Sequence, residues 1–156
     1  MFPNFELIPH TADIQIRVYG STQAELFKHA LIGMFQVIGP IVSNGTKNNR
    51  SDTDNYPSAF LAIPNLLDRH HLVTLQAYDK EQLLVDFLSQ ALAVSDMYNE
   101  AYFDAEFTTI TATELKATIY GVAITGFAVE IKAVTYHNLA ISKSNGIWQT
   151  DIVFDI

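Results

Sequence analysis

The sequence contains no cysteine, few basic residues and no apolar run long enough to span a membrane. The lack of cysteine excludes disulfides, thiolate metal sites and cysteine nucleophiles, so any metal must be bound by oxygen or imidazole ligands. Nine Lys and Arg residues stand against seventeen Asp and Glu residues, which gives a formal net charge of −8. Because proteins bind nucleic acid largely through Lys and Arg, we expect no direct nucleic-acid binding. A cation or a basic protein surface is the expected partner.

The length and composition are those of one globular domain. Of the 156 residues, 49% are hydrophobic and 17% are charged, which is typical of a folded chain rather than a disordered one. We expect residues 1–156 to form a single domain with a polar surface loop at about Ser43–Ser58. The start of the chain lacks the basic residues and the apolar stretch of a signal peptide. We therefore expect a cytoplasmic protein with no membrane association.

Two helices are predicted by apolar residues at helical spacing that follow a capping box. The first begins after Thr22, has Glu25 three residues later, and ends at Gly39-Pro40. The second begins after Asp79, has Gln82 in the corresponding position, and carries one continuous apolar stripe.

Period-two alternation and turn residues predict the strands. The predicted strands before the last hairpin are Phe5–Ile8, Ile14–Tyr19, Leu72–Tyr78, Tyr102–Thr111 and Glu114–Ile124. An Asn145-Gly146 turn then predicts a C-terminal hairpin whose second strand runs to the last residue. Because strands and helices do not alternate regularly, we expect an α+β fold, with two main helices packed on a mostly antiparallel sheet and the C-terminal β-hairpin at the chain terminus.

Carboxylates at the two ends of the chain form the first candidate site. Asp13 comes directly before the second strand, and Asp155 and the Ile156 α-carboxylate close the last strand. If these strands are neighbours, three groups that are ionised at neutral pH converge, and they repel one another unless a cation lies between them. Such hard oxygen ligands favour Ca²⁺, Mg²⁺ or Mn²⁺ over zinc. The alternative is that Asp13 caps a turn and Asp155 is solvated.

A second group of polar side chains lies in Val129–Ile141, which is interpreted as two short extended runs. Lys132 is a candidate to neutralise the carboxylates or to bind an anionic ligand, with His137 nearby. The alternative is a polar strand face with His137 packed under the sheet. His10, three residues before Asp13, is either a neighbour of the carboxylates or a partly buried histidine.

No catalytic nucleophile can be identified. The sequence has no phosphate-binding glycine loop, no GxSxG turn and no HExxH helix. Asp86, between apolar residues of the second helix, is interpreted as a solvent-side residue. His70-His71 is interpreted as a solvated strand edge, because adjacent residues of a strand face opposite ways.

Several stretches together resemble the archease family, in order and at both ends of the chain. They are His10–Ile14, Val18–Gly20, Leu83–Leu88, Ile131–His137 and Val153–Ile156. The run IKAVTYH combined with an ending in FDI is the specific part of the resemblance. The sequence differs from the family between Ser43 and His71, and at Gln15, where the family more often has glycine.

The resemblance implies a protein that catalyses no reaction and activates the RtcB-type RNA ligase, which joins 3′-phosphate or 2′,3′-cyclic phosphate ends to 5′-hydroxyl ends in tRNA splicing or RNA repair. Archeases are understood to promote guanylylation of that ligase and so to restore multiple turnover. The family binds a divalent ion, with Ca²⁺ as the first candidate, and its ligands would fall on Asp13, Asp155 and Ile156. Three further residues match family motifs without an assigned role: His10, Lys132 and His137.

Two alternative functions are compatible with the same residues. One is a metal-dependent phosphoesterase that uses the carboxylates together with His10 or His137 as acid or base. The other is a chaperone-like assembly module, in which the ion only joins the two ends of the chain.

Overall fold

The computed structural model describes residues 4–9, 12–42 and 67–156. The predicted loop at Ser43–Ser58 and the candidate residue His10 lie outside these residues. The described elements are β1 (Phe5–Ile8), β2 (Ile14–Gly20), α1 (Gln23–Val37), β3 (Pro40–Ile41), β4 (Arg69–Gln76), α2 (Lys80–Tyr98), β5 (Glu100–Ile110), β6 (Glu114–Ala123), β7 (Gly126–Phe127), β8 (Ala133–Thr135), β9 (Ser142–Ser144) and β10 (Ile147–Asp155). Every strand pair among them is antiparallel, which confirms the α+β prediction.

Both helices begin where their capping boxes predict. The Thr22 hydroxyl accepts a hydrogen bond from the main-chain N–H of Glu25 at 3.1 Å, and the Asp79 carboxylate accepts one from Gln82 at 2.8 Å. Each cap satisfies an N–H group that has no partner within its helix. Asn99 ends α2 in the left-handed conformation, with φ of 54°. Within the described ranges, neither helix has the length and apolar content needed to cross a membrane.

Strand β10 is the centre of the larger sheet, whose order is β1-β2-β10-β8, with β9 also paired to β10. Strand β2 lies along one edge of β10, and β8 and β9 pair with opposite ends of its other edge. The Asn145-Gly146 turn joins β9 to β10 with φ of 52° and 77°, as the dipeptide predicts. In the register, Phe154 lies opposite both Ile14 and Val134.

The smaller sheet has the order β4-β6-β5 and packs against both helices. Strand β4 begins at Arg69, before the predicted Leu72, and ends at Gln76. Arg69–His71 are polar and lie before the predicted start of the strand, but they pair with Gly121–Ile119 of β6. The hairpin of β5 and β6 agrees with the prediction except for two register shifts along β5.

One apolar core joins the larger sheet to the helices and the smaller sheet. Ile152 and Phe154 of β10 are fully buried, as are Ile16 and Val18 of β2. Burial of a phenylalanine side chain stabilises a fold by about 1.5–3 kcal/mol. The last strand is therefore anchored up to Phe154, and this fixes the position of the residues that follow.

Candidate functional site

The end of β10 lies beside the start of β2. Phe154 is opposite Ile14, so continuing the register by one residue brings Asp155 alongside Asp13. On the other edge of β10, Asp155 is opposite Ala133. The structure therefore brings the predicted carboxylates to one end of the larger sheet, although they are separated by nearly the whole sequence.

The side chains at this end divide between two faces of the sheet. Phe154 and Val134, which lies opposite it on β8, face the core. Because side chains alternate along a strand, Asp155 and Ala133 face the outer side. Asp155 is exposed, Asp13 is half-buried, and Ile156 is 39% exposed. Ala133 is small and exposed, which leaves one side of the Asp155 carboxylate open. The Asp155 side chain has no hydrogen bond or ion pair with the described part of the chain.

The oxygen groups at this position have the chemistry of a site for a hard divalent cation. Within the described ranges no three His, Cys, Asp or Glu side chains form a metal cluster. Two carboxylate side chains alone fall short of that number, and the third predicted ligand, Ile156, follows Asp155 directly. Carboxylates held side by side repel one another, and a bound Ca²⁺, Mg²⁺ or Mn²⁺ would relieve that repulsion.

The next acidic group on the outer face of the sheet is already neutralised. Arg17 donates two hydrogen bonds to Asp151, from Nε to Oδ1 at 2.7 Å and from Nη2 to Oδ2 at 3.0 Å. Gln15 donates a third, from Nε2 to Oδ2 at 3.2 Å. The bonds to Asp151 raise the pKa of the Arg17 guanidinium above its ordinary value. Asp151 is therefore paired, whereas the Asp155 carboxylate has no ion pair with a described residue.

Lys132 and His137, two further predicted residues, lie before and after β8. The main-chain N–H of Lys132 donates to the carbonyl oxygen of Asp155 at 2.7 Å, so Lys132 lies at the candidate site. Its side chain is exposed and forms no ion pair with a described residue. His137 lies past the opposite end of β8 and is exposed, with its Nε2 3.2 Å from the amide of Asn138. Lys132 and His137 thus lie on either side of β8 in the sequence, and a role for His137 at the carboxylates stays a prediction.

Asp86 has a role that the sequence did not indicate. It was expected to be a solvent-side residue, but its Oδ1 accepts a hydrogen bond from the Tyr136 hydroxyl at 3.1 Å. Burial, followed by the charge of Asp86, raises the pKa of Tyr136 above its ordinary value. Nearby, Glu81 accepts a hydrogen bond from the N–H of Ile141 at 3.3 Å. These contacts attach the segment that follows β8 to α2.

A second polar cluster was also missed. Glu100 is buried, its Oε1 lies 2.5 Å from His71 Nε2, and it accepts a hydrogen bond from the Tyr102 hydroxyl at 2.9 Å. Arg69 Nε is 3.6 Å from Oε2 of the same carboxylate. The expectation of a solvated edge was therefore wrong for His71, which faces inward while its neighbour faces outward. The partners compensate the cost of a buried carboxylate and hold β4 to the start of β5.

Comparison with known proteins identifies the family. The model of the archease protein family matches residues 5–156. This chain belongs to the archease family. The archease of Methanosarcina barkeri is 34% identical over 162 residues, covering 97% of this chain and 95% of that protein. The archease of Pyrococcus abyssi is 31% identical over 161 residues, covering 97% and 98%.

Solved structures share the archease fold. The solution structure of Methanobacterium thermoautotrophicum protein 1598 superposes with a TM-score of 0.65 at 24% identity, covering 98% of this chain and 99% of that one. The crystal structure of an archease from Thermotoga maritima, described as a possible chaperone, gives a TM-score of 0.57 at 20% identity, covering 96% and 94%. At these identities the comparison concerns the fold alone.

Proposed function

We propose that this archease is a divalent-metal-binding protein cofactor of an RtcB-type RNA ligase. It promotes guanylylation of the ligase and so permits multiple turnover in the joining of 3′-phosphate or 2′,3′-cyclic phosphate ends to 5′-hydroxyl ends. It catalyses no reaction itself. The process served is tRNA splicing or RNA repair.

The observation that carries this proposal is the register of the larger sheet. It aligns the start of β2 with the end of β10, so that Asp13 and Asp155 are neighbours across adjacent strands. Asp155 is exposed and no described group neutralises it. Membership of the archease family supports the proposal, because the family resemblance implies an activator of an RNA ligase.

Asp13, Asp155 and the Ile156 α-carboxylate are the proposed ligands of the ion. Ca²⁺ is the first candidate, with Mg²⁺ and Mn²⁺ as the others, because all three prefer carboxylate oxygens. The bound ion supplies a positive charge that is accessible to a partner at the end of the sheet. Lys132 lies next to this site through its main chain and is available to contact the same partner.

The charge of the protein supports a protein partner rather than RNA. A net charge of −8 favours encounter with the basic surface on which a ligase binds RNA, because complementary potentials steer association. The same charge opposes binding of the RNA itself. The activator therefore binds the ligase and does not bind the RNA substrate.

Multiple-turnover ligation tests the proposal. A ligase from the same genome is held at low concentration with excess RNA and GTP, with or without this protein. The intact protein is expected to increase the number of turnovers, and Asp155→Asn is expected to lose that effect while remaining folded.

The matched control is Asp96→Asn, which removes an exposed carboxylate from α2, away from the larger sheet. It is expected to activate like the intact protein. Equal activation by all three proteins would contradict the site assignment, and no activation by any of them would contradict the function.

The name of the Thermotoga maritima protein favours one other function, a chaperone-like role. Under that role the ion stabilises the fold by mass action without taking part in activation. The two roles separate at a temperature where the metal-free protein stays folded. Loss of activation on removal of the ion supports the ligase cofactor, and retained activation supports the chaperone.

A further inference from the structure

Thr135 carries a hydroxyl group that has no assigned role. Its Oγ1 atom is buried and has no hydrogen-bond partner, and it is the one such side-chain atom found in the described part of the chain. Burial of a hydroxyl without a partner disfavours the folded state, so buried hydroxyls are normally bonded. An isolated one in the strand next to Asp155 needs a physical explanation.

The register places Thr135 on the same face as Asp155. Thr135 is opposite Val153, and Ala133 is opposite Asp155, so all four side chains lie on the outer side of the sheet. Thr135 and Asp155 are therefore diagonal neighbours. Diagonal neighbours are about 7–8 Å apart, with their Cβ atoms somewhat closer. No direct hydrogen bond joins the two side chains, and one small group between them can bond both.

The other diagonal neighbour of Thr135 does not need the hydroxyl. That neighbour is Asp151, and its carboxylate already accepts hydrogen bonds from Arg17 and Gln15. Asp155, in contrast, has no hydrogen bond or ion pair with a described side chain. The Thr135 hydroxyl and the Asp155 carboxylate, which both lack a partner among the described residues, are therefore diagonal neighbours on the same face of the sheet.

We propose that the Thr135 hydroxyl is an outer-shell partner of the divalent ion, bonded to a water molecule that the ion carries. This inference depends on the ion of the proposed function. Hard cations keep water in their coordination shell when the protein supplies few ligands, and groups that bond such a shell orient it and increase affinity. Thr135 is thus a positioning residue at the Asp13–Asp155 site.

Calcium titration by calorimetry tests the inference on the intact chain and two variants. Thr135→Val keeps the shape of the side chain and removes the hydroxyl. It is expected to weaken Ca²⁺ binding by about 10-fold or more, the usual effect of losing an outer-shell partner. Thr135→Ser keeps the hydroxyl and is expected to bind Ca²⁺ nearly as tightly as the intact protein.

Stability in a chelator gives the second readout. Since Thr135→Val removes an unbonded buried hydroxyl, the metal-free variant is expected to be at least as stable as the intact protein. A clear loss of metal-free stability would mean that Thr135 is bonded inside the protein, and would overturn the inference. Thr135→Ala provides the same comparison if valine does not pack.

The outcomes separate this inference from the function on which it depends. If the intact protein binds Ca²⁺ and Thr135→Val binds it equally well, the outer-shell role is refuted and the metal site stands. If the intact protein binds none of Ca²⁺, Mg²⁺ and Mn²⁺, the metal site is refuted and the role of Thr135 falls with it.

Discussion

Replacement of Asp155 by asparagine is predicted to have opposite effects on stability with and without a divalent ion. Asp13 and Asp155 are neighbours at the ends of adjacent strands, and Asp155 is exposed. Charge pairs directly opposite each other across two strands contribute about 0.2–1 kcal/mol when the charges are opposite, and like charges in that position destabilise the sheet. In a chelator, Asp155→Asn is therefore expected to be more stable than the intact protein by about 0.5 kcal/mol.

A bound ion is expected to make the intact protein more stable than Asp155→Asn. At a Ca²⁺ concentration of about 100 times Kd, the intact protein gains about 2.7 kcal/mol. For a domain of this length each kcal/mol raises Tm by about 2–4 °C, so the expected rise is about 5–11 °C. Asp155→Asn loses a ligand and most of this rise, so the intact protein becomes the more stable of the two.

Differential scanning calorimetry in chelator and in Ca²⁺ measures the metal-free Tm of each protein and the rise in Tm that the ion produces. Asp96→Asn is the control, since it removes an exposed charge that has no described ion pair, and it is expected to respond to Ca²⁺ like the intact protein. If Asp155→Asn lowers the metal-free Tm, the carboxylate stabilises the fold and the repulsion argument is refuted. If all three proteins respond equally to Ca²⁺, Asp155 is not a ligand.

Three further predictions concern the fold. Gly121→Ala is expected to destabilise the protein by about 1–3 kcal/mol in urea unfolding, because the added Cβ overlaps the carbonyl oxygen of Ala101; unchanged stability would contradict the close approach of β5 and β6. Burial raises the pKa of the Tyr102 phenol, with a further contribution from its bond to Glu100, so the stability that Tyr102 contributes is complete below pH of about 10 and is lost as the pH rises further. Urea unfolding between pH 8 and 11 is expected to show a smaller alkaline loss for Tyr102→Phe, and an identical loss in both proteins would refute this. Asp79→Ala is expected to cost about 1 kcal/mol through loss of the helix cap, measured by the same unfolding, and a neutral result would contradict the cap.

The helices and long strands could be predicted because their signals are local. The hydroxyl of Thr22 and the carboxylate of Asp79 bond N–H groups three residues away, and a capping box can be identified at that spacing. The Asn145-Gly146 turn is local in the same sense. Pro40–Ile41 could not be predicted as a strand, since it is a strand only because it pairs with Gly126–Phe127.

The candidate site could be predicted in part, because local sequence signals also identify the ends of the strands that carry it. Asp13 and Asp155 could be identified as candidates because each lies at one end of a clearly predicted strand. Their alignment depends on the strand register, which local sequence does not encode. Of the two extended runs predicted in Val129–Ile141, only Ala133–Thr135 pairs as a strand, because pairing depends on a distant partner that local sequence does not show. The pair of His71 and Glu100 was missed because its members are 29 residues apart.

Transfer of labelled GMP from GTP to the ligase measures the proposed effect of this archease, which is promotion of guanylylation. The ligase is mixed with labelled GTP and Ca²⁺ in the absence of RNA, with or without this protein, and the labelled enzyme is followed over time. The proposed function predicts faster or more complete labelling with the intact protein and no such effect with Asp155→Asn. Labelling that the intact, Ca²⁺-bound protein leaves unchanged would contradict it.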